Sequence, residues 1–327
     1  MKRRTLLGAS GLVLTGRRAL AQPARKVYRI GVLVTGSASD WVFPQPVNVL
    51  AKALQRGLGE LGYTYGQHYL IEPRGGEGNP ARYPLLAAEL VAQGVDVIVA
   101  SGPSLNGVKA ATQTIPVVMT AALDPLAEGL IQSLSRSGNN LTGLSHQFGD
   151  LVGKLLELLK ELVPGPAPVA VLWDRGARST WEAAEVAARS RGWKLLSLEI
   201  KDASEIEAAL KSASEARSGS LLVLTGYIPF PHRRRIAELA VQYRLPSMYD
   251  LRPYVEAGGL MSYGADLVDI WRQSARYVDK ILKGARPTDL PVEQPTRIEL
   301  VLNLKTAKAV GLTIPSAFRL RVDDLIE

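Results

Sequence analysis

Between residues 95 and 125 the chain twice runs from an apolar stretch through an abrupt polar break into a helix start, VDVIVASGPSLNGVKAATQTIPVVMTAALDP. No other feature narrows the fold as much. Val95, Val97, Ile98, Val99 and Ala100 form a near-continuous apolar run, the pattern of a strand buried on both faces of a parallel sheet. The run stops at Ser101-Gly102-Pro103-Ser104, where Gly102 permits a tight turn, Pro103 cannot extend a ladder and Ser104 suits a helix N-cap. A second run, 116–120, ends in Asp124-Pro125, which reads as an N-cap followed by a first helical residue. Loops of this kind, at the carboxyl ends of parallel strands, are where open α/β sheets bind ligands.

The same alternation fills the chain. Strands at 28–34 and 68–72 and helices at 46–61 and 80–93 lead into the opening stretch, giving βαβαβαβ. Pro164-Gly165-Pro166 then breaks the chain, and the order starts again with strands at 168–173, 193–200, 220–224 and 245–249 and helices at 180–191 and 204–216. LPSMY, 245–249, occupies the place that IPVVM, 115–119, holds in the first half. Two halves of about 110 residues imply an α/β molecule of two similar doubly wound parallel-sheet lobes whose strand ends face a shared cleft. Three stretches suit crossings between lobes: 139–145, 258–264 and the Pro-rich 287–295. The expected division is 27–143 plus about 260–290 for lobe 1, and 144–259 plus about 291–327 for lobe 2.

Residues 1–21 read as a cleaved export signal: basic Lys2-Arg3-Arg4, an apolar centre at 6–14, and Ala19-Leu20-Ala21 before the cut. Arg3-Arg4-Thr5-Leu6-Leu7 leaves both the general secretory and the twin-arginine route open. The apolar centre is too short to span a bilayer, so the mature chain is expected to be soluble. The 327 residues contain no cysteine, which excludes disulfides, thiol catalysis, cysteine-held metals and a lipid-modified cysteine. An export signal without an anchor points to the periplasm. The net charge of +8 is spread along the chain, and the basic run at 232–235 reads as a solvated helix face and not a nucleic-acid contact. A DNA-binding regulator would need a helix-turn-helix segment where the export signal stands.

A solute held between two lobes must exchange hydration for fixed donors, and strand-end loops supply them. In the first lobe these are Ser37, Ser39, Ser101, Ser104, Thr120 and Asp124. Ser101 and Ser104 pair a hydroxyl with the free amides of a helix start, a setting for a carboxylate. The helix dipole contributes only ~0.3–1 kcal/mol per exposed charge, whereas micromolar binding requires about 8 kcal/mol. Both lobes must therefore contribute. Asp124 could hold an ammonium or simply cap. The second lobe offers Trp173, Arg175, Ser179, Thr225, Tyr227 and Tyr249, with Tyr263 at a crossing. Its aromatics would wall an apolar group or pack in the core, Arg175 would fork onto a carboxylate, and Trp41 reads as a lid or surface anchor.

His68, His146 and His232 lie at no metal-ligand spacing, and GGEGNP, 75–80, lacks the ending of a phosphate loop. No catalytic residue, metal or cofactor is expected. The segment EAGGLMSYGADLVDIWRQSARYVDKILKGARPTDLPVEQPTRIELVLNLKTAKAVGLTIP, 256–315, with IPVVMTAALDPLAEGL and NNLTGLS, resembles ABC-transporter substrate-binding proteins of the TrpX-like family. The likeness runs over about residues 27–327. It implies the type I periplasmic binding protein fold, with three crossings, and delivery of a small organic solute, of the class of an amino acid or an aromatic or carboxylate compound, to an inner-membrane ABC permease. A sensor subunit of the same fold is the second reading, and an enzyme the third.

Overall fold

The computed structural model describes residues 26–146, 151–295 and 297–327. The expected export signal lies outside them. The chain runs β1 (Tyr28–Val34), α1 (Val49–Glu60), β2 (Tyr69–Gly75), α2 (Tyr83–Ala92), β3 (Val97–Ser101), α3 (Ser104–Ala111), β4 (Val117–Ala122) and β5 (Leu141–Ser145). It continues through α4 (Val152–Leu162), β6 (Val169–Trp173), α5 (Arg178–Arg189), β7 (Leu195–Glu199), α6 (Ile206–Glu215), β8 (Ser220–Val223), α7 (Arg233–Gln242), β9 (Ser247–Tyr249) and α8 (Arg252–Glu256). The last elements are β10 (Met261–Ala265), α9 (Leu267–Leu282), β11 (Val292–Glu293), β12 (Ile298–Asn303), α10 (Leu304–Ala309), α11 (Ser316–Arg319) and β13 (Asp324–Ile326).

These strands form two sheets. The first has the order β11-β5-β4-β3-β1-β2 and is parallel throughout; the second has the order β13-β12-β10-β9-β8-β6-β7, with β10 and β12 antiparallel. Both faces of each sheet are covered, as apolar runs without alternation require. Ile30, Val32 and Val34 of β1 pack with α1 and α9 on one face, while Leu33 joins Leu86 and Leu90 of α2 on the other. In the second lobe Val169, Val171 and Trp173 of β6 meet α4 and α5, and Ala170 and Leu172 meet α6 and α7.

The repeat holds at the level of single hydrogen bonds. Ile98 N–H donates to Pro116 O at 2.9 Å, and Leu221 N–H donates to Pro246 O at 2.9 Å. The proline ahead of each fourth strand thus does the same work in both lobes: it lacks a donor, but its carbonyl starts the ladder.

The crossings sit later in sequence than their glycines, asparagines and prolines suggested. β5 belongs wholly to the first sheet, so the first crossing follows Ser145. β10 pairs with β9 and β12 in the second sheet, so the chain returns to lobe 1 only at Asp266, not near 260. There Asp266 Oδ1 accepts from Val268 N–H at 2.9 Å and Asp269 N–H at 3.1 Å, starting α9. β11 pairs with β5, which moves the third crossing to the residues after Glu293. Gly and Pro mark where a chain turns, while the sheet that a two- to five-residue run joins is decided by its partners.

Two further expectations change. Trp41 is no lid: it is 2% exposed and packs on Trp271 of α9 with ring centroids 4.8 Å apart. Asp124-Pro125 opens a turn and not a helix, in which Glu128 N–H donates to Asp124 O and Leu130 N–H to Pro125 O. Gly129, at φ 63°, ends it after one turn.

Candidate ligand-binding cleft

The carboxyl ends of β1, β3 and β4 carry the first-lobe candidates. Ser37 caps the short turn at Ala38–Trp41, its Oγ accepting from Ser39 N–H at 3.4 Å and lying 2.9 Å from Ser39 Oγ. Both side chains keep solvent access. Ser101 is half-buried beside Gly102, whose φ of 52° makes the tight turn. Ser104 differs from its expected role. It is the first helical residue of α3, fully buried, and its Oγ contacts Leu33 O at 3.1 Å, Ser101 O at 2.8 Å and Ser101 N at 3.3 Å. These bonds tie β1 to β3 and leave nothing for a solute. Thr120 is likewise buried, donating to Ala100 O at 3.2 Å. Asp124 is half-buried and accepts from Ala127 N–H at 2.9 Å.

In the second lobe Trp173 and Tyr249 prove to be core residues. Trp173 stacks on Trp181 at 5.4 Å and donates from Nε1 to Ser197 Oγ at 2.9 Å. Tyr249 is fully buried and stacks on Tyr254 at 4.6 Å. Tyr263 is half-buried against the same core that holds Trp173. Arg175 is exposed and Ser179 half-buried in the first turn of α5. Tyr227 lies within electrostatic reach of Glu128 of the other lobe. Burial first, then the charges of Glu128 and Asp174, push its phenol up to about 12, with Arg175 acting the other way.

Two carboxylates order these second-lobe loops. Asp174, 1% exposed, accepts from Gly176 N–H at 2.8 Å and Ile228 N–H at 2.6 Å, which fastens the loop after β6 to the loop after β8. The approach is close: a Cβ on Gly226 would lie 2.2 Å from Asp174 Oδ1. Burial lifts the Asp174 carboxyl, and the backbone donors oppose the lift. Asp250, at the end of β9, accepts the Thr225 hydroxyl on Oδ1 at 2.5 Å and lies 3.2 Å from His146 Nε2 on Oδ2. Thr225 is therefore a fixed support for Asp250, not a free donor.

The lobes meet at His146–Asp250 and again where Glu128, from the turn after β4, faces Tyr227 and Asn106. Burial raises the Glu128 carboxyl; a backbone hydrogen bond at Asp124 and the Asn106 and Tyr227 side chains oppose the rise, and the Asp124 charge adds to it. The fold thus brings Ser37, Ser39, Ser101, Asp124, Arg175, Ser179 and Tyr227 to the strand ends of both lobes with accessible atoms. Ser104, Thr120, Trp173, Thr225 and Tyr249 are engaged within a lobe. Asp174 and Asp250 carry a sequence signal, since each is the first polar residue after an apolar strand. Glu128 carries none, because a turn places it. Among the described residues no group of three His, Asp or Glu could hold a metal ion, and no helix is long and apolar enough to cross a membrane.

A family model described as ABC transporter substrate binding protein matches residues 46–324, most of the chain. The chain belongs to that family. It is a family of solute-binding proteins and not of enzymes, and the two-lobed architecture is the type I periplasmic binding protein fold. A tyrosine-binding protein of Clostridioides difficile is 25% identical over 270 residues, 81% of this substrate-binding chain and 77% of the relative. The crystal structure of a conserved domain protein from Vibrio cholerae is 28% identical with a TM-score of 0.84, covering 92% of this chain and all of that one. A structure from Streptococcus pneumonia in complex with L-Trp is 25% identical with a TM-score of 0.83, again over 92% of this chain and all of the other.

Proposed function

We propose that this substrate-binding protein captures an amino acid with an aromatic side chain between its lobes and delivers it to an ABC permease of the inner membrane. The observation that carries this is the set of half-buried and exposed polar side chains at strand ends of both lobes, Ser37, Ser39, Ser101 and Asp124 in one and Arg175, Ser179 and Tyr227 in the other. A solute touching both walls binds the closed arrangement more tightly than an open one and so draws the lobes together. Arg175 offers the fork for a carboxylate, Asp124 an acceptor for an ammonium, and Tyr227 a half-buried ring face. Relatives that carry tyrosine and L-Trp in their names support this class of solute. Residues 1–21 would direct the chain to the periplasm, where the permease could receive the closed form.

Isothermal titration of the purified protein with L-tyrosine, L-tryptophan and a panel of other amino acids and aromatic acids tests the reading. Binding of an aromatic amino acid at micromolar or tighter affinity is expected; heats at the level of dilution across the whole panel would overturn it. Arg175→Ala should weaken such binding by roughly tenfold, the worth of one exposed charge-assisted bond, with an unchanged thermal midpoint.

A further inference from the structure

We propose that a second copy of this chain pairs with the free edge of the second sheet, β7 against β7 about a two-fold axis at Ser197, so that the protein dimerises through lobe 2.

The edge is open on one lobe and closed on the other. β7 is the last strand of its sheet. Val169 N–H donates to Lys194 O and Ile200 N–H to Trp173 O, both at 2.9 Å. Alternate residues of a paired strand then turn outward, so Leu195, Ser197 and Glu199 present N–H and C=O groups for which no described residue supplies a partner. In the first sheet β2 holds the matching edge. There Tyr28 N–H donates to His68 O, which turns Tyr69, Ile71 and Pro73 outward. Gly66 N–H covers Tyr69 O at 2.8 Å, and Pro73 has no donor to offer a further strand. Glu72 and Arg74 on either side of Pro73 are held by Arg29 and Glu89. β7 contains no proline, and among the described residues none of its side chains is in an ion pair.

The surface beside β7 is complementary to itself. Trp181, Glu185 and Arg189 of α5 form a groove with Trp193, Leu195 and Ser197. Nearby charges are neutralised, Arg178 by Glu182 and Arg191 by Glu157, whereas Glu185 and Arg189 have no ion-pair partner among the described residues. A groove with one spare anion and one spare cation is matched by a copy of itself, because a two-fold axis sets Glu185 of each copy against Arg189 of the other. Val186, on the same turn of α5 and 66% exposed, would be covered by that approach. An axis perpendicular to the sheet makes the two strands antiparallel. Only the register centred on Ser197 then engages all three outward residues of each copy, pairing Ser197 with Ser197 and Leu195 with Glu199. The same register sets Leu196 opposite Leu198 on the other face, an apolar cross-strand pair. β9, β8 and β6 separate β7 from β10 and β12, where the second and third crossings attach, so the contact lies away from the connections between lobes.

Sedimentation equilibrium of the purified chain over a dilution series is the first test. A monomer–dimer equilibrium is expected, and a monomer up to the solubility limit would overturn the proposal. Facing residues of a hydrogen-bonded antiparallel pair have Cα atoms about 5.5 Å apart, inside the ~4.4–6.8 Å span of a disulfide. Ser197→Cys in this cysteine-free chain should therefore cross-link on mild oxidation faster than Val47→Cys, a control at an exposed residue of lobe 1. Equal rates would refute pairing at Ser197. Glu199→Pro gives β7 the block that Pro73 gives β2, and by deleting one hydrogen bond per copy should raise the dimer dissociation constant roughly ten- to a hundredfold. Glu185→Arg and Arg189→Glu should each weaken the dimer by bringing like charges together, and the double variant should restore it. The thermal midpoint of each diluted variant reports that the lobe is still folded. A dimer indifferent to Glu199→Pro, or a double variant no tighter than the single ones, would sink the proposal.

Discussion

Asp174 fixes two backbone N–H groups, and Gly226 makes room for it. Asp174→Ala leaves both donors buried or re-solvated, so a loss of about 1–3 kcal/mol is expected, read by urea unfolding. Solute affinity should fall with it, because the loops bearing Arg175 and Tyr227 lose their common anchor. At this scale the sequence shows which residues can make a turn. Gly102 was legible, since a turn between an apolar strand and a helix start needs a left-handed residue and Gly102 adopts one. The direction of the Ser104 hydroxyl was not, because its acceptor Leu33 O lies 71 residues away on another strand.

Among the elements, α9 shows how a helix is assigned to a lobe. Its apolar face is readable in the sequence from Leu267, Ile270, Trp271, Tyr277, Val278, Ile281 and Leu282, of which all but the half-buried Leu267 and Leu282 are buried. That this face packs on α1, more than 200 residues earlier, follows from close contact at Gly57, where a Cβ would lie 2.2 Å from Arg272 O and 2.8 Å from Ala275 Cβ. Gly57→Ala should overpack this crossing and cost about 1–3 kcal/mol, seen as a lower thermal midpoint. Trp41 separates the core role from a lid. Trp41→Ala should destabilise by about 3–5 kcal/mol, while the fraction still folded binds solute with unchanged affinity. A lid would give the opposite result, with stability kept and dissociation faster.

For the whole molecule, two sheets joined by three passages can change their mutual angle with little disturbance inside either lobe, because each lobe has its own pair of cores. Solute should therefore shrink the radius of gyration in small-angle scattering and leave the far-ultraviolet circular dichroism unchanged. It should also raise the unfolding free energy by about 2.7 kcal/mol at a free concentration one hundred times Kd. A thermal midpoint that ignores concentration would count against binding to the folded state.

Periodicity and punctuation alone determined the alternation of strand and helix, the duplication, and the polar loops at strand ends. Each depends on neighbours within a few residues or on a pattern that any parallel sheet imposes. Tertiary structure alone decided which sheet receives β5, β10 and β11, which of the loop side chains stay accessible, and that His146 meets Asp250. Those outcomes are contacts outside each residue's local sequence, from neighbouring strands to His146 and Asp250 104 positions apart, and one hydroxyl or carboxylate has too many partners in reach for its local sequence to select among them.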